Sequence, residues 1–138
     1  MTPNYTIPES AKILEIRNGR LREWVDRQYI KPDKPAQFRG DNHRLSETNI
    51  FQAKLFQYLI HRGFMRRVAA EIAQQFKNRD FLCVTQKAGR FSYSWYDKNK
   101  AITLNPGIED IFVINMKKIK DSVNLKAFPV NVETKDNV

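Results

Sequence analysis

The sequence predicts an α+β protein in which four helices and a small hairpin precede a mostly antiparallel, β-rich part. Up to residue 76, apolar residues recur every three or four positions behind helix-capping residues. Beyond residue 80, short β-branched and aromatic runs alternate with turn residues. We therefore predict two parts, a helical part over residues 1–79 and a small β-rich part over residues 80–138 that ends in a loose tail.

The first helix is predicted to begin after Thr6, behind a loose tail of residues 1–5. Thr6 suits the N-cap position, and Glu9, three residues later, completes a capping box. Pro8 fits the first turn, where its missing N–H leaves no hydrogen bond unmade. Residues 15–18 then turn the chain.

The second helix is predicted over about residues 18–27. Leu21, Trp24 and Val25 fall at helical spacing and form its core stripe. Two short helices joined by a turn of this length make a helix-turn-helix. The basic and polar residues left to face outward are Arg17, Asn18, Arg20 and Arg27.

Residues 33–44 are predicted to form a β-hairpin, because they combine prolines with Gly40, Asp and Asn. This hairpin carries Arg39 and Arg44, and its tip is predicted near residues 40–42. Ser46 is a good N-cap for a third helix to about residue 62, and a fourth helix is predicted over residues 64–76, with Met65 in its apolar stripe.

The β-rich part contains four strand-like runs, FLCVT, FSYSWY, AITL and IFVIN. The segments between them, KAGR, DKNK and NPG, are rich in turn residues. We predict a meander of three or four strands, followed by a short helix over residues 116–123.

Four short motifs in residues 6–46 are typical of one family, and a helix junction at Tyr58-Leu59-Ile60-His61-Arg62-Gly63-Phe64 extends the likeness over residues 6–76. The four motifs are Thr6-Ile7-Pro8-Glu9-Ser10-Ala11, Leu21-Arg22-Glu23-Trp24, Tyr29-Ile30-Lys31-Pro32 and His43-Arg44-Leu45-Ser46. They resemble T/S-I-G-E-x-A, L-R-x-(Y/W), an apolar pair before x-P, and Y-R-x-Y-S in the DNA-binding domain of the MerR family of winged-helix regulators. Two features depart from the family: Pro8 stands where glycine is usual, and no heptads follow Phe76 to form the family's long dimerising helix.

The resemblance implies a winged helix-turn-helix that places its recognition helix, residues 18–27, in the major groove of double-stranded DNA. The DNA contacts that it implies come from Arg17, Asn18, Arg20 and Arg22 in that helix and from Arg39 and Arg44 in the wing. Helical spacing adds Arg27 to this set. For Arg22 a second interpretation stays open, since it could brace Asp26 one turn further on.

The charge of the chain also favours a nucleic-acid partner. The net charge is +9 and the isoelectric point is about 9.8. Residues 1–79 hold 15 Lys and Arg against 8 Asp and Glu, whereas residues 80–138 hold 9 against 7. The surface that binds a polyanion is therefore expected in the first part.

Several other classes of protein find little support in the sequence. No apolar run could span a membrane, and the N-terminus lacks a signal sequence, so we expect a cytoplasmic protein. His43, His61 and Cys83 offer no zinc spacing, and no catalytic or cofactor-binding motif is present. We therefore predict neither enzymatic activity nor a metal or cofactor.

The predicted function is sequence-specific binding of double-stranded DNA as a transcriptional regulator. One alternative keeps the fold and makes the chain a DNA-binding factor of a phage or mobile element, like an excisionase or a terminase small subunit. Another makes the β-rich part a protein-interaction module. A homodimer formed through the C-terminal part is possible in each case.

Overall fold

The computed structural model describes residues 4–99 and 107–123, which contain helices and strands in two small antiparallel sheets. The mixed helix and strand class predicted from the sequence is confirmed. In chain order the elements are β1 (Asn4–Thr6), α1 (Ile7–Leu14), α2 (Asn18–Asp26), β2 (Arg44–Ser46), α3 (Glu47–His61), α4 (Arg66–Gln74), β3 (Phe81–Lys87), β4 (Arg90–Tyr96), β5 (Asp110–Asn115) and α5 (Met116–Asp121).

Strands β1 and β2 pair antiparallel, which places Tyr5 opposite Leu45. Both side chains are buried, and their burial holds the start of the chain against the beginning of α3. The prediction of a loose tail over residues 1–5 is therefore wrong for residues 4 and 5. A three-residue strand is too short to show a period of its own, and its partner lies 40 residues away.

Helices α1 and α3 begin in the same way, each directly after a strand and each with a complete capping box. Thr6 Oγ1 accepts from the Glu9 N–H at 3.2 Å, and Glu9 Oε1 accepts from the Thr6 N–H at 2.9 Å. Ser46 Oγ and the Asn49 amide oxygen make the equivalent pair at 3.1 and 3.0 Å. Both predicted helix starts are confirmed.

Helix α2 buries the apolar stripe that the sequence predicts, and it contacts α3 through Trp24. Leu21 and Trp24 are buried, and the Trp24 ring meets the edge of Phe56 at 4.9 Å between centroids. Tyr29, just after α2, stacks on the same phenylalanine at 5.2 Å. The indole Nε1 of Trp24 is a buried donor without a hydrogen-bond partner among the described residues. Trp24 is thus a core residue.

The end of α2 is tied to α4 by Gln74. Its side-chain amide donates to the carbonyl oxygens of Gln28 and Tyr29, both at 3.0 Å. Gln28 has a φ of 64°, so the chain leaves the helix through the left-handed region. The amide of Gln74 therefore satisfies carbonyls that the ending helix leaves without partners.

The second sheet has the order β4-β3-β5, so the predicted meander order is wrong. Leu82 on β3 lies between Trp95 on β4 and Ile114 on β5. Strand β3 is the most buried of the three, because Leu82, Cys83 and Val84 are all buried, as expected of a central strand. The predicted strand over residues 101–104 lies outside the described residues.

The sheet packs against Phe64 and Phe76, which flank α4, and leaves the outer side of α2 uncovered. Phe76 meets Trp95 at 6.0 Å, and Phe64 meets Phe91 at 5.4 Å. Buried side chains of the helices, the sheet and α5 form one apolar cluster. The division into residues 1–79 and 80–138 stays a prediction.

The fourth helix begins two residues later than predicted, at Arg66. Gly63 has a φ of 95° and Met65 is extended, so the chain is still turning at residue 65. Met65 consequently lies outside the apolar stripe and is 61% exposed, which corrects the prediction for that residue. No helix in residues 4–99 or 107–123 is long and apolar enough to cross a membrane.

Candidate nucleic-acid interface

The outer side of α2 exposes every basic residue that the sequence assigned to it. Because α2 buries Leu21, Trp24 and Val25 in the core, the basic and polar residues that the sequence singled out are left on the surface: Arg17, Asn18, Arg20, Arg22 and Arg27. The sheet does not cover this side. The surface is therefore open to a large partner.

The arginines of α2 do not form one stripe. Arg20 and Arg27 are seven residues apart and share one flank, whereas Arg22 lies about 160° away from Arg20 around the helix axis. Glu23 and Asp26 lie between the two flanks at the centre of the exposed side. The outer side of α2 is thus an acidic centre with basic residues on both flanks.

Arg27 is the α2 arginine that makes an ion pair in the described part of the chain. Its Nε lies 3.1 Å from Glu23 Oε2, and both side chains are at least half exposed. A pair of this kind contributes about 0.3–0.5 kcal/mol, so releasing Arg27 costs little. The alternative interpretation of Arg22 is not supported, because no Arg22–Asp26 ion pair forms among the described residues.

The start of α2 differs from the start of α1. Its N-cap is Arg17, which makes no capping hydrogen bond, and no acidic residue lies in the first turn. The partial positive charge of this helix end is therefore not offset by a carboxylate as it is at Glu9 of α1. A Cβ on Gly19 would meet nothing within 4 Å, so the approach to this end is clear.

Residues 33–43, which we call the wing loop, replace the predicted hairpin. Lys34 and Arg44 form an isolated bridge, with N···O distances of 2.8 and 3.3 Å. Pro35 follows Lys34 and has no N–H to donate, which helps to explain why the ladder does not continue. Arg44 itself belongs to β2, where its Nη1 lies 3.4 Å from Asn4 Oδ1.

The tip of the wing loop is a tight turn over residues 38–41. The Asp41 N–H donates to the Phe38 carbonyl at 3.0 Å, and Gly40 has a φ of 92°, as the third position of a type II turn requires. The Asp41 carboxylate accepts from the backbone N–H groups of Gln37 and Asn42 at 2.9 and 2.8 Å. These two hydrogen bonds lower the pKa of Asp41 below its usual value, because they stabilise the charged carboxylate. Both of its oxygens therefore bind backbone groups of the wing loop.

The base of the wing loop is held by Asn49, which is 1% exposed at the start of α3. Its Oδ1 accepts from the Asp33 N–H at 2.8 Å, and its Nδ2 donates to the Lys31 carbonyl at 3.0 Å. His43 Nδ1 accepts from the Ala36 N–H at 3.0 Å across the loop. The wing loop is thus anchored to the helical core.

The wing loop lies directly beside α2. A groove of about 360 Å³ separates them, with Arg22 and Asp26 on its helix side. Its other lining residues are Thr6, Ile7, Pro8, Ala36, Asp41, Asn42 and His43. The structure therefore brings the Arg22 flank of α2 and the wing loop into one surface, while Arg20 and Arg27 lie on the far flank.

Sequence reasoning missed two residues of this surface. Phe38, at the tip of the wing loop, is 70% exposed and lies next to the exposed Arg39. A single aromatic residue in a polar loop is a visible signal, although the sequence alone does not say whether the ring is buried. Asn49 is the second: the sequence predicted Ser46 as the N-cap of α3 but did not identify Asn49 as its partner or as the anchor of the loop.

The described residues contain neither a cluster of metal ligands nor an exposed thiol. No group of three His, Cys, Asp or Glu residues within the described ranges could hold a metal ion. Cys83 is buried in the sheet, and burial raises the pKa of its thiol. The face formed by α2 and the wing loop carries the exposed arginines that the sequence singled out.

Comparison with solved structures finds a similarity to a transcriptional regulator of the MerR family from Bacillus cereus. The TM-score is 0.46 and the sequence identity is 19%, over 54% of this chain and 55% of that one. The chain thus spans about half the length of this structural neighbour. No protein-family model and no curated protein match the sequence. A similarity of this size does not establish membership of the family.

Proposed function

We propose that the chain is a sequence-specific double-stranded DNA-binding protein that acts as a transcriptional regulator. Helix α2 occupies the major groove, and the wing loop follows the neighbouring groove. The observation that carries the proposal is the continuous exposed surface of α2 and the wing loop, with basic residues on both flanks of the helix. A helix about 10–12 Å across suits a major groove about 12 Å wide.

The two flanks of α2 are suited to different contacts. Arg20 and Arg22 can each present a guanidinium to the O6 and N7 acceptors of guanine. Arg17, at the uncapped start of the helix, is placed for a backbone phosphate. On the wing side, Arg39 and Arg44 are placed for phosphates or for the edge of the minor groove.

The acidic centre of α2 supports sequence-specific binding over general affinity for polyanions. Glu23 and Asp26 repel phosphates, which weakens non-specific binding. A carboxylate at the base edges can accept a hydrogen bond from the cytosine N4 amine. The balance between this centre and the basic flanks makes α2 a selective surface, because only duplexes that place suitable donors there compensate for the repulsion.

The test begins by selecting bound duplexes from a random pool and measuring the affinity of the full chain for the selected sequence. We expect Arg20→Ala to weaken binding to that duplex by about 1–3 kcal/mol, because it removes a bidentate contact to a base. Binding to random duplex should fall less. Arg90→Ala is the matched control, since it removes the same charge from an exposed position on β4 and should leave both affinities nearly unchanged.

Two results would count against these assignments. An equal loss of affinity for selected and random duplex in Arg20→Ala would move Arg20 from base contact to phosphate contact. A full chain that ignores every duplex at low salt, where phosphate contacts are strongest, would overturn the proposed function itself.

A further inference from the structure

We infer that Phe38 is a wedge that inserts between neighbouring base pairs from the minor groove and bends the bound duplex. This inference rests on the proposed DNA binding by α2 and adds a second, different mode of contact. Its starting point is the exposure of the ring. Phe38 is 70% exposed, the largest exposed fraction among the large apolar side chains of the described residues.

The turn that carries Phe38 is internally braced. The hydrogen bond from Asp41 to the Phe38 carbonyl closes the turn, and Asp41 also holds the N–H groups of Gln37 and Asn42. The Lys34–Arg44 bridge closes the loop further back. Because the backbone of the turn is already ordered, only the side chain of Phe38 loses conformational freedom when the ring enters a binding partner, which favours insertion.

The charges around Phe38 indicate which partner the ring fits. Arg39 is its neighbour in the turn, and Lys34 and Arg44 lie at the base of the loop. The carboxylate in the same turn, Asp41, has both oxygens engaged by backbone N–H groups. An apolar tip with basic residues around it matches the minor groove, where base edges lie between two rows of phosphates.

The position of the wing loop is consistent with this contact. The loop lies against the Arg22 flank of α2, across the groove lined by Asp26 and His43. When α2 lies in the major groove, the segment beside its flank meets the sugar-phosphate backbone and the minor groove next to it. Apolar side chains inserted there unstack a base step and kink the duplex by about 20–90°.

The experiment uses the full chain and the duplex selected from the random pool. A fluorescent adenine analogue, 2-aminopurine, is placed in turn at each step beside the α2 site, because its emission rises when its stacking is lost. Donor and acceptor dyes on the two duplex ends report the bend. With the natural chain we expect increased emission at one step and a shorter distance between the ends.

Phe38→Ala should abolish both signals and weaken binding by about tenfold, the size of one lost aromatic–base stacking contact. Phe38→Leu keeps an apolar wedge and should keep part of the bend. Met65→Ala is the matched control, because Met65 is another strongly exposed apolar side chain, 61% exposed, at the start of α4. It should leave both signals unchanged.

The outcomes separate this inference from the proposed function. Tight binding by the natural chain with no unstacked step and no bend would overturn the wedge and leave DNA binding by α2 intact. Full bending by Phe38→Ala would overturn the assignment of the wedge to Phe38. Absence of binding to any duplex at low salt would overturn the proposed function. The circular dichroism of each variant checks that the fold is retained.

Discussion

Helices α1 and α2 are joined by a short turn, yet their starts are built in opposite ways. At α1, the side chains of Thr6 and Glu9 satisfy the free backbone groups in a closed capping box. At α2, Arg17 makes no capping bond and no carboxylate is present in the first turn. The polar side chains of the first helix are thus used for stability, whereas those of the second remain available to a partner.

The same contrast separates Asn49 from Asn18. Asn49 is buried and makes hydrogen bonds to Lys31, Asp33, Ser46 and Gln52. Asn18 is exposed at the start of α2. Two residues of one type therefore serve different purposes. Polar side chains that hold the fold should affect stability when replaced, and those that are exposed on α2 should not.

Asn49→Ala should lower the free energy of unfolding by about 3 kcal/mol or more, because it leaves several buried backbone groups without partners. Urea unfolding measures this loss. Asn18→Ala is the matched control and should change stability by less than about 0.5 kcal/mol. Similar losses in the two variants would remove the distinction between the anchoring and the exposed asparagine.

Thr6→Ala should lower the free energy of unfolding by about 1 kcal/mol, the usual value for a lost N-cap. Arg17 is the residue at the same cap position of α2. Arg17→Ala should lower the free energy of unfolding by less than about 0.5 kcal/mol, because no capping bond is lost. For duplex affinity the order should reverse, with Arg17→Ala the weaker binder. A loss of stability in Arg17→Ala equal to that in Thr6→Ala would show that Arg17 is structural.

The wing loop should respond weakly to pH through Asp41. Its pKa is lowered by the bonds from the Gln37 and Asn42 N–H groups, so the charged form is favoured in the folded state. The resulting stabilisation is present above the ordinary value of 3.8 and is lost as the pH falls through the lower, folded pKa. Amide NMR shifts of Gln37 and Asn42 should titrate below pH 3.8, and a midpoint above it would contradict the bonding of the turn.

The sequence predicted the helices well because their signals are local. Capping residues and apolar spacing lie within one or two turns, so the starts of α1 and α3 and the core stripe of α2 could be identified. Strand β1 and the position of β5 depend on pairing with distant segments, which leaves no local signal. The start of α4 was misplaced because the turn at Gly63 extends to Met65.

The candidate site was predictable only in its residue types. Exposed arginines on α2 followed from the apolar stripe, since whatever is not on the stripe faces outward. The groove beside Arg22 and the exposure of Phe38 depend on how the wing loop folds back on Asn49. That arrangement joins residues 31–33 to α3 across the whole loop, and no short sequence window contains it.

The two tryptophans of the chain provide intrinsic optical probes of its two parts. Trp24 is buried on the inner side of α2, where it contacts Phe56. Trp95 on β4 is half-buried and contacts Phe76. Replacing either one by phenylalanine leaves a single emitter, which reports on the buried side of α2 or on the contact between the sheet and Phe76. Unfolding followed in each such variant compares the cooperativity of the two parts without any added label.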